Sequence, residues 1–113
     1  MPQEIARDEL QTLLSNGQKP ILIEALPARY FLDNHLPGAI HMPHDRTAEL
    51  AVEVAPDRDS DIVVYCASAT CRNSHIAAAQ LERLGYANVR VFAAGKQDWI
   101  EAGLPTESGG QAR

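Results

Sequence analysis

Short apolar runs alternate with amphipathic stretches along most of the chain. A run without alternation, such as residues 21–23, predicts a strand that is covered on both faces. Strands are predicted in this way over residues 21–23, 39–42, 62–65 and 89–92. Helical spacing of apolar residues, with Pro27 as a start and Gly17 and Gly85 as stops, predicts helices between the strands. Strands that alternate with helices predict an α/β fold with a mainly parallel sheet.

The composition is that of one ordinary globular domain. The chain has 113 residues, of which 45% are hydrophobic and 22% are charged. Its net charge of −5 argues against binding of nucleic acid, whose phosphates attract basic proteins. No apolar run has the length of a membrane span, and residues 1–14 are too acidic for a secretory signal. We therefore expect a cytoplasmic protein without membrane or nucleic-acid partners, with a folded domain over 1–106 and a flexible tail over 107–113.

The cysteine content points to chemistry rather than to a structural bridge or a metal. The two cysteines, Cys66 and Cys71, both follow the most hydrophobic predicted strand. Disulfides are rare in cytosolic proteins, so a close pair there favours a chemical role. Structural zinc sites need four ligands and usually show C-x2-C spacing, which this sequence lacks. We expect no metal and no other cofactor.

The loop between this strand and the next predicted helix has the setting of a reactive thiol. It lies at the carboxyl edge of the predicted sheet, where such folds bind ligands. Free backbone N–H groups at the helix start, the helix dipole and Arg72 all favour negative charge. Such a setting lowers the pKa of a thiol from about 8.5 to about 3.5–7.5. We predict that Cys66 is the catalytic nucleophile. The predicted binding residues for an anionic substrate are Ala67, Ser68, Ala69, Thr70, Cys71 and Arg72.

Three blocks of sequence, in the right order, resemble the rhodanese (sulfurtransferase) family. Residues 30–43 resemble the family's H-[IL]-P-G-A-[IV]-x-x-P block. Residues 62–86 are similar to its strand, its cysteine loop and its helix ending in Leu-Gly-Tyr. The closing G-x3-W-x3-G-x-P pattern of the family is matched by Gly95, Trp99, Gly103 and Pro105. Together these blocks span most of the chain.

The resemblance implies both a fold and a reaction. The implied fold is a five-stranded, mainly parallel sheet with helices on both faces. In the implied reaction the thiolate of Cys66 takes a sulfane sulfur from an anionic donor such as thiosulfate and becomes a persulfide. The persulfide then passes its sulfur to a thiol or to cyanide. The implied acceptor is a small thiol or a thiol on a partner protein.

The loop departs from the family pattern in length and composition. The usual C-x4-R spacing, followed directly by serine, is here C-x5-R from Cys66 to Arg72, with Ser74 later still. Counting back from Ser74 puts Ser68 at the nucleophile position. The strand points to Cys66, which we prefer because loops absorb insertions. We expect Ser74 to cap the helix or to lie in its first turn. The loop has no glycine, and the family's Asp-x-Arg appears as Glu-Ala-Leu at 24–26, without the arginine.

These departures leave alternatives open. The C-x5-R spacing is also that of cell-cycle phosphatases and arsenate reductases that resemble rhodaneses, so an enzyme of that type is one alternative. A non-catalytic module that binds a partner is another, because the loop is atypical. Three roles are open for Cys71: it attacks a persulfide on Cys66 to form a disulfide, it is itself the nucleophile, or it has no chemical role.

Overall fold

The structure, a computed structural model that describes residues 2–112, contains a five-stranded sheet. The strands are β1 (Gln3–Glu4), β2 (Ile21–Glu24), β3 (Ile40–His41), β4 (Asp61–Tyr65) and β5 (Asn88–Phe92). They lie in the order β1-β5-β4-β2-β3, and every adjacent pair is parallel. The strand β4 is therefore central, and its carboxyl end lies between those of β2 and β5.

Four helices lie between successive strands along the chain and a fifth follows the last strand, in the alternation that the sequence pattern predicts. They are α1 (Arg7–Ser15), α2 (Ala28–Asp33), α3 (Thr47–Val54), α4 (Asn73–Arg83) and α5 (Gly95–Glu101). The apolar pattern did not predict the polar strand β1 or the short 3-10 helix His44–Arg46 that precedes α3. Within residues 2–112, no helix is both long and apolar enough to cross a membrane.

Each face of the sheet carries its own apolar core, because successive residues of a strand point to opposite faces. Val64 of the central strand belongs to the core that includes Leu81 of α4. Its neighbour Tyr65 belongs to the second core, with Leu10 of α1 and Trp99 of α5. The prediction of a parallel sheet with helices on both faces is confirmed.

The segment after α5 returns to the region of α2. The backbone N–H groups of His35 and Glu107 each donate to the carbonyl oxygen of the other residue at 2.8 Å. The amide of Gly109 donates to the carbonyl oxygen of Leu32, also at 2.8 Å. The domain boundary at residue 106 and the flexibility of residues 107–113 stay predictions.

Candidate functional site

The predicted nucleophile lies at the centre of the carboxyl edge of the sheet. Cys66 directly follows the last residue of β4, and 1% of its surface is exposed. The loop that follows leads to α4, and within it Ala67, Ala69 and Thr70 are exposed. The predicted anion-binding residues therefore form a surface loop, whereas the predicted nucleophile lies below the surface.

The loop turns back so that its second cysteine returns to the first. The amide of Cys71 donates to the carbonyl oxygen of Ser68 at 3.1 Å, which closes a turn. The hydroxyl groups of Ser68 and Thr70 hydrogen-bond to each other at 3.1 Å. The carbonyl oxygen of Cys71 consequently lies 3.4 Å from the Sγ of Cys66. Both cysteines are free thiols, and the fold holds them in one compact loop.

The start of α5 fixes the other side of this loop. The amides of Lys96 and Gln97 donate to the carbonyl oxygens of Cys66 and Ala67, both at 2.8 Å. The start of α5 lies so close to the loop that a Cβ atom on Gly95 would be 2.7 Å from the backbone nitrogen of Ser68. Gly95 also has a φ of +78°, which disfavours other residues. Glycine at this position therefore allows α5 to hold the loop.

The first turn of α4 contacts the thiol through Ser74. The Oγ of Ser74 lies 3.3 Å from the Sγ of Cys66, and Ser74 is fully buried. The prediction that Ser74 lies in the first turn is confirmed, although α4 has no side-chain cap. Instead of capping the helix, this hydroxyl is a hydrogen-bond partner of Cys66.

The electrostatic setting of Cys66 differs from the one expected. Burial raises the pKa of the Cys66 thiol, and its hydrogen bond to the side chain of Cys71 raises it further. The hydroxyl and the amide of Ser74 act in the opposite direction and lower the pKa, but they do not outweigh burial. The expectation that the loop lowers the pKa of Cys66 is therefore wrong, because burial of the sulfur outweighs the hydrogen-bond donors around it.

The lowered pKa belongs to Cys71 instead. Burial alone would raise the pKa of this partly exposed thiol. Hydrogen bonds from the Cys66 thiol and from the amides of Ala67 and Asn73 outweigh burial and lower it. Negative charge is therefore favoured on Cys71 rather than on Cys66.

Arg72 is exposed at the start of α4, and its predicted part in binding an anionic substrate stays a prediction. Among residues 2–112, its guanidinium makes no hydrogen bond or ion pair with another side chain or with the loop backbone. The amides of Ala67, Asn73 and Ser74 favour negative charge on the two thiols.

A buried ion pair lies behind the loop, and the sequence analysis did not predict it. The Oε1 of Glu24, at the end of β2, lies 3.2 Å from the Nζ of Lys96, with the Glu24 side chain 0% exposed and that of Lys96 9% exposed. The hydroxyl of Tyr65 donates to the same oxygen at 2.8 Å and accepts from the amide of Leu36 at 3.0 Å. This network joins β2, β4 and α5 next to Cys66.

The signal for this network was present in the sequence. Glu24 follows an apolar run on a strand buried on both faces, and a buried carboxylate needs a partner. The family's arginine is replaced by Leu26, so the partner had to come from elsewhere in the chain. Lys96 fills this role and also donates to the carbonyl oxygens of Tyr30 and Asn34, at 3.1 and 2.7 Å.

Comparison with known proteins defines the family. The rhodanese-like domain family matches residues 6–102. The chain is 32% identical over 103 residues to the adenylyltransferase and sulfurtransferase UBA4 of Candida albicans. It is 33% identical over 105 residues to the HTH-type transcriptional regulator Rv0324 of Mycobacterium tuberculosis. These matches cover 86% and 93% of this chain but 23% and 45% of the two relatives, so the chain spans less than half of either.

Solved structures share the fold. The thiosulfate sulfurtransferase from Pseudomonas aeruginosa matches with a TM-score of 0.85 and 25% identity, over 99% of this chain and 21% of that one. A rhodanese with anions from E. coli matches with a TM-score of 0.67 and 27% identity, over 78% and 96% of the two chains. The fold and the site define a parallel α/β domain with a cysteine loop at the carboxyl end of its central strand. The chain belongs to the rhodanese-like domain family.

Proposed function

We propose that the chain is a sulfurtransferase in which Cys66 accepts the sulfane sulfur of an anionic donor such as thiosulfate. Cys66 then carries this sulfur as a persulfide and gives it to a thiol or to cyanide. Family membership and the presence of sulfurtransferases among the relatives support this class of reaction. The observation that carries the assignment is the position of Cys66, which ends the central strand with its sulfur 3.3 Å from Ser74 in the first turn of α4.

Sulfur transfer requires Cys66 to act as a thiolate, and its neighbours provide a route for the proton. The thiol of Cys66 lies 3.4 Å from the carbonyl oxygen of Cys71, and the lowered pKa of the Cys71 side chain favours its thiolate, the form that can accept a proton. As the Cys66 sulfur attacks the outer sulfur of thiosulfate, its proton passes to Cys71. The new bond joins Cys66 to the sulfane sulfur, the S–S bond of thiosulfate breaks, and sulfite leaves with the bonding electrons. Donation from the amide and hydroxyl of Ser74 stabilises the negative charge that develops on Cys66.

The exposed loop is the proposed binding surface for the donor. Its hydroxyl groups, on Ser68 and Thr70, are hydrogen-bond donors suited to an oxyanion. Arg72, at the exposed start of α4, adds a full positive charge that is not neutralised by another residue among 2–112. The acceptor in this proposal is a small thiol, cyanide or a thiol on a partner protein.

Two single variants test the proposal. Wild-type protein is expected to form thiocyanate from thiosulfate and cyanide, and Cys66→Ser to form none. Cys71→Ser is expected to acquire one sulfur atom on Cys66, more slowly than wild type because the base is missing. The readouts are thiocyanate formation and intact mass after thiosulfate treatment. Sulfur acquisition by Cys66→Ser, with none by Cys71→Ser, would assign the nucleophile to Cys71 instead.

A non-catalytic binding module is the second candidate, and one observation favours it. Cys66 is almost fully buried and burial raises its pKa, which reduces the thiolate available for attack. This candidate predicts that neither cysteine gains sulfur from thiosulfate or from inorganic polysulfide. A phosphatase or arsenate reductase of C-x5-R type rests on the loop spacing alone, whereas sulfurtransferases occur among the relatives.

A further inference from the structure

A second cysteine lies beside the proposed nucleophile, in the same loop. The turn from Ser68 to Cys71 returns the chain to Cys66, and the carbonyl oxygen of Cys71 lies 3.4 Å from the Cys66 sulfur. Each side chain also shifts the pKa of the other thiol: that of Cys66 lowers the pKa of Cys71, and that of Cys71 raises the pKa of Cys66. These are the only two cysteines of the sequence. A persulfide on Cys66 would therefore form beside a thiol that belongs to the same loop.

We infer that Cys71 is an internal acceptor, which displaces hydrosulfide from the Cys66 persulfide and closes a disulfide between Cys66 and Cys71. This inference rests on the proposed function, because sulfur transfer supplies the persulfide. It makes the site a dithiol that reduces sulfane sulfur, in addition to a carrier that passes it on.

The step balances without a further reagent. The deprotonated persulfide of Cys66 and the thiol of Cys71 give the Cys66–Cys71 disulfide and hydrosulfide. The bond between the Cys66 sulfur and the sulfane sulfur breaks, and a bond between the two cysteine sulfurs forms. The proton that Cys71 took from Cys66 leaves on the hydrosulfide. The sulfane sulfur, counted as zero-valent, gains two electrons, one from each cysteine sulfur.

The properties of Cys71 suit an attacking thiol. Thiol–disulfide exchange proceeds through the thiolate, and the amides of Ala67 and Asn73 lower the pKa of Cys71. Cys71 lies in an irregular loop rather than in a strand or helix, so it can approach Cys66 without breaking an element. The loop is anchored at its start by the hydrogen bond from the Lys96 amide to Cys66 and is free of such anchoring at Ala69 and Thr70, which are exposed.

The disulfide between Cys66 and Cys71 limits turnover. After one cycle the site is an oxidised disulfide and cannot accept a second sulfur. A thiol reductant, either a small thiol or a protein dithiol, must reduce it before the next cycle. Without reductant, and without an external acceptor such as cyanide to take the sulfur first, the reaction should therefore stop after one equivalent of hydrosulfide per chain.

The test compares wild type and Cys71→Ser, each fully reduced, desalted and treated with thiosulfate or with inorganic polysulfide. Wild type is expected to release hydrosulfide, to lose two hydrogen atoms in mass and to lose both thiols in a titration under denaturing conditions. Cys71→Ser is expected to gain one sulfur atom and to release hydrosulfide only after a small thiol is added. Cys66→Ser is the matched control and should do neither.

The outcomes separate the two claims. If wild type and Cys71→Ser both hold a stable persulfide and release no hydrosulfide, the inference is overturned and the proposed function stands. If no variant gains sulfur and no disulfide forms with either donor, the proposed function fails and the inference fails with it. A disulfide between two chains, detected as a covalent dimer, would also overturn the inference, because it requires the bond to form within one loop.

Discussion

The two cysteines lie in the same loop but have opposite electrostatic settings. Cys66 is buried at the end of β4, and the low polarity around it disfavours its charged form. Cys71 is partly exposed and receives hydrogen bonds from two backbone amides and from the Cys66 thiol. The residue that binds sulfur in our proposal is therefore not the one that ionises first, and the proton between them links their reactivities.

This difference predicts distinct pH profiles for alkylation of the single-cysteine variants. In Cys66→Ser, the serine hydroxyl donates to Cys71 in place of the Cys66 thiol and the two backbone amides still donate, so the pKa of Cys71 stays lowered and its thiolate forms at lower pH. Its rate of reaction with iodoacetamide should reach half-maximum below about 8.5, the ordinary value for cysteine. In Cys71→Ser, burial raises the pKa of Cys66, so half-maximum should come above about 8.5.

Rates measured by intact mass across pH 5 to 11 check this prediction. The control is the same pair of variants in strong denaturant, where both profiles should coincide near the ordinary thiol pKa. Coincident profiles in the folded proteins, or a Cys66 profile below that of Cys71, would contradict the arrangement of hydrogen bonds in the loop.

At the scale of elements, the loop is held by the approach of α5. Two hydrogen bonds from the amides of Lys96 and Gln97 reach the loop only because Gly95 lacks a side chain. The sequence pattern G-x3-W identified this glycine, but its reason lies in the distance between α5 and the loop.

Gly95→Ala should lower both stability and sulfur transfer. Alanine at a φ of +78° costs about 1–2 kcal/mol, and forcing its Cβ against the Ser68 backbone adds about 1–3 kcal/mol. The control is Gly103→Ala, because Gly103 has a φ of +76° and its Cβ atom would have nothing within 4 Å. This variant carries only the cost of placing alanine at a positive φ. Urea unfolding and thiocyanate formation check the prediction. If both variants lose the same free energy of unfolding, contact between the new Cβ atom and the Ser68 backbone does not destabilise the protein, and the prediction is contradicted.

The sequence predicted the elements that have strong apolar patterns. The run at 62–65 is fully buried, and the run at 89–92 is buried except at Arg90, so both have the mostly apolar signature of interior strands. The strand β1 escaped prediction because its two residues are polar and exposed. In the sheet, Gln3 of β1 pairs with Arg90 of β5, which lies 87 positions further along the chain. A local sequence pattern cannot predict a pairing over that separation.

The sequence located the candidate site but not its electrostatics. The strand end and the family resemblance led to Cys66 and its loop. The direction of the pKa shift of Cys66 depends on how burial of its sulfur compares with the hydrogen bonds that it receives. Both are set by the turn at Ser68 and by contact with Ser74, which the sequence pattern does not contain. The contact between Glu24 and Lys96 joins residues far apart in the chain, so only the fold brings them together.

At the scale of the whole molecule, one ion pair connects the sheet, α5 and the segment after α2. Lys96 contacts Glu24 of β2 and also the carbonyl oxygens of Tyr30 and Asn34. The carboxylate is held by Tyr65 and Lys96 through the same oxygen, and its Oε2 has no hydrogen-bond partner among residues 2–112. The negative charge of Glu24 is therefore compensated mainly by Lys96. A buried charge without a partner is strongly unfavourable, so the carboxylate depends on this lysine.

Removing the lysine alone should cost more than removing both charges. Lys96→Met leaves the Glu24 carboxylate buried and uncompensated, which should lower the free energy of unfolding by about 3–5 kcal/mol. In the double variant Glu24→Gln/Lys96→Met no charge remains buried, Tyr65 still has an oxygen to donate to, and most of the loss should be recovered. Urea unfolding followed by the fluorescence of Trp99, the single tryptophan, measures both. If the double variant is as unstable as Lys96→Met, then Lys96 stabilises the fold through its contacts with Tyr30 and Asn34 rather than through Glu24.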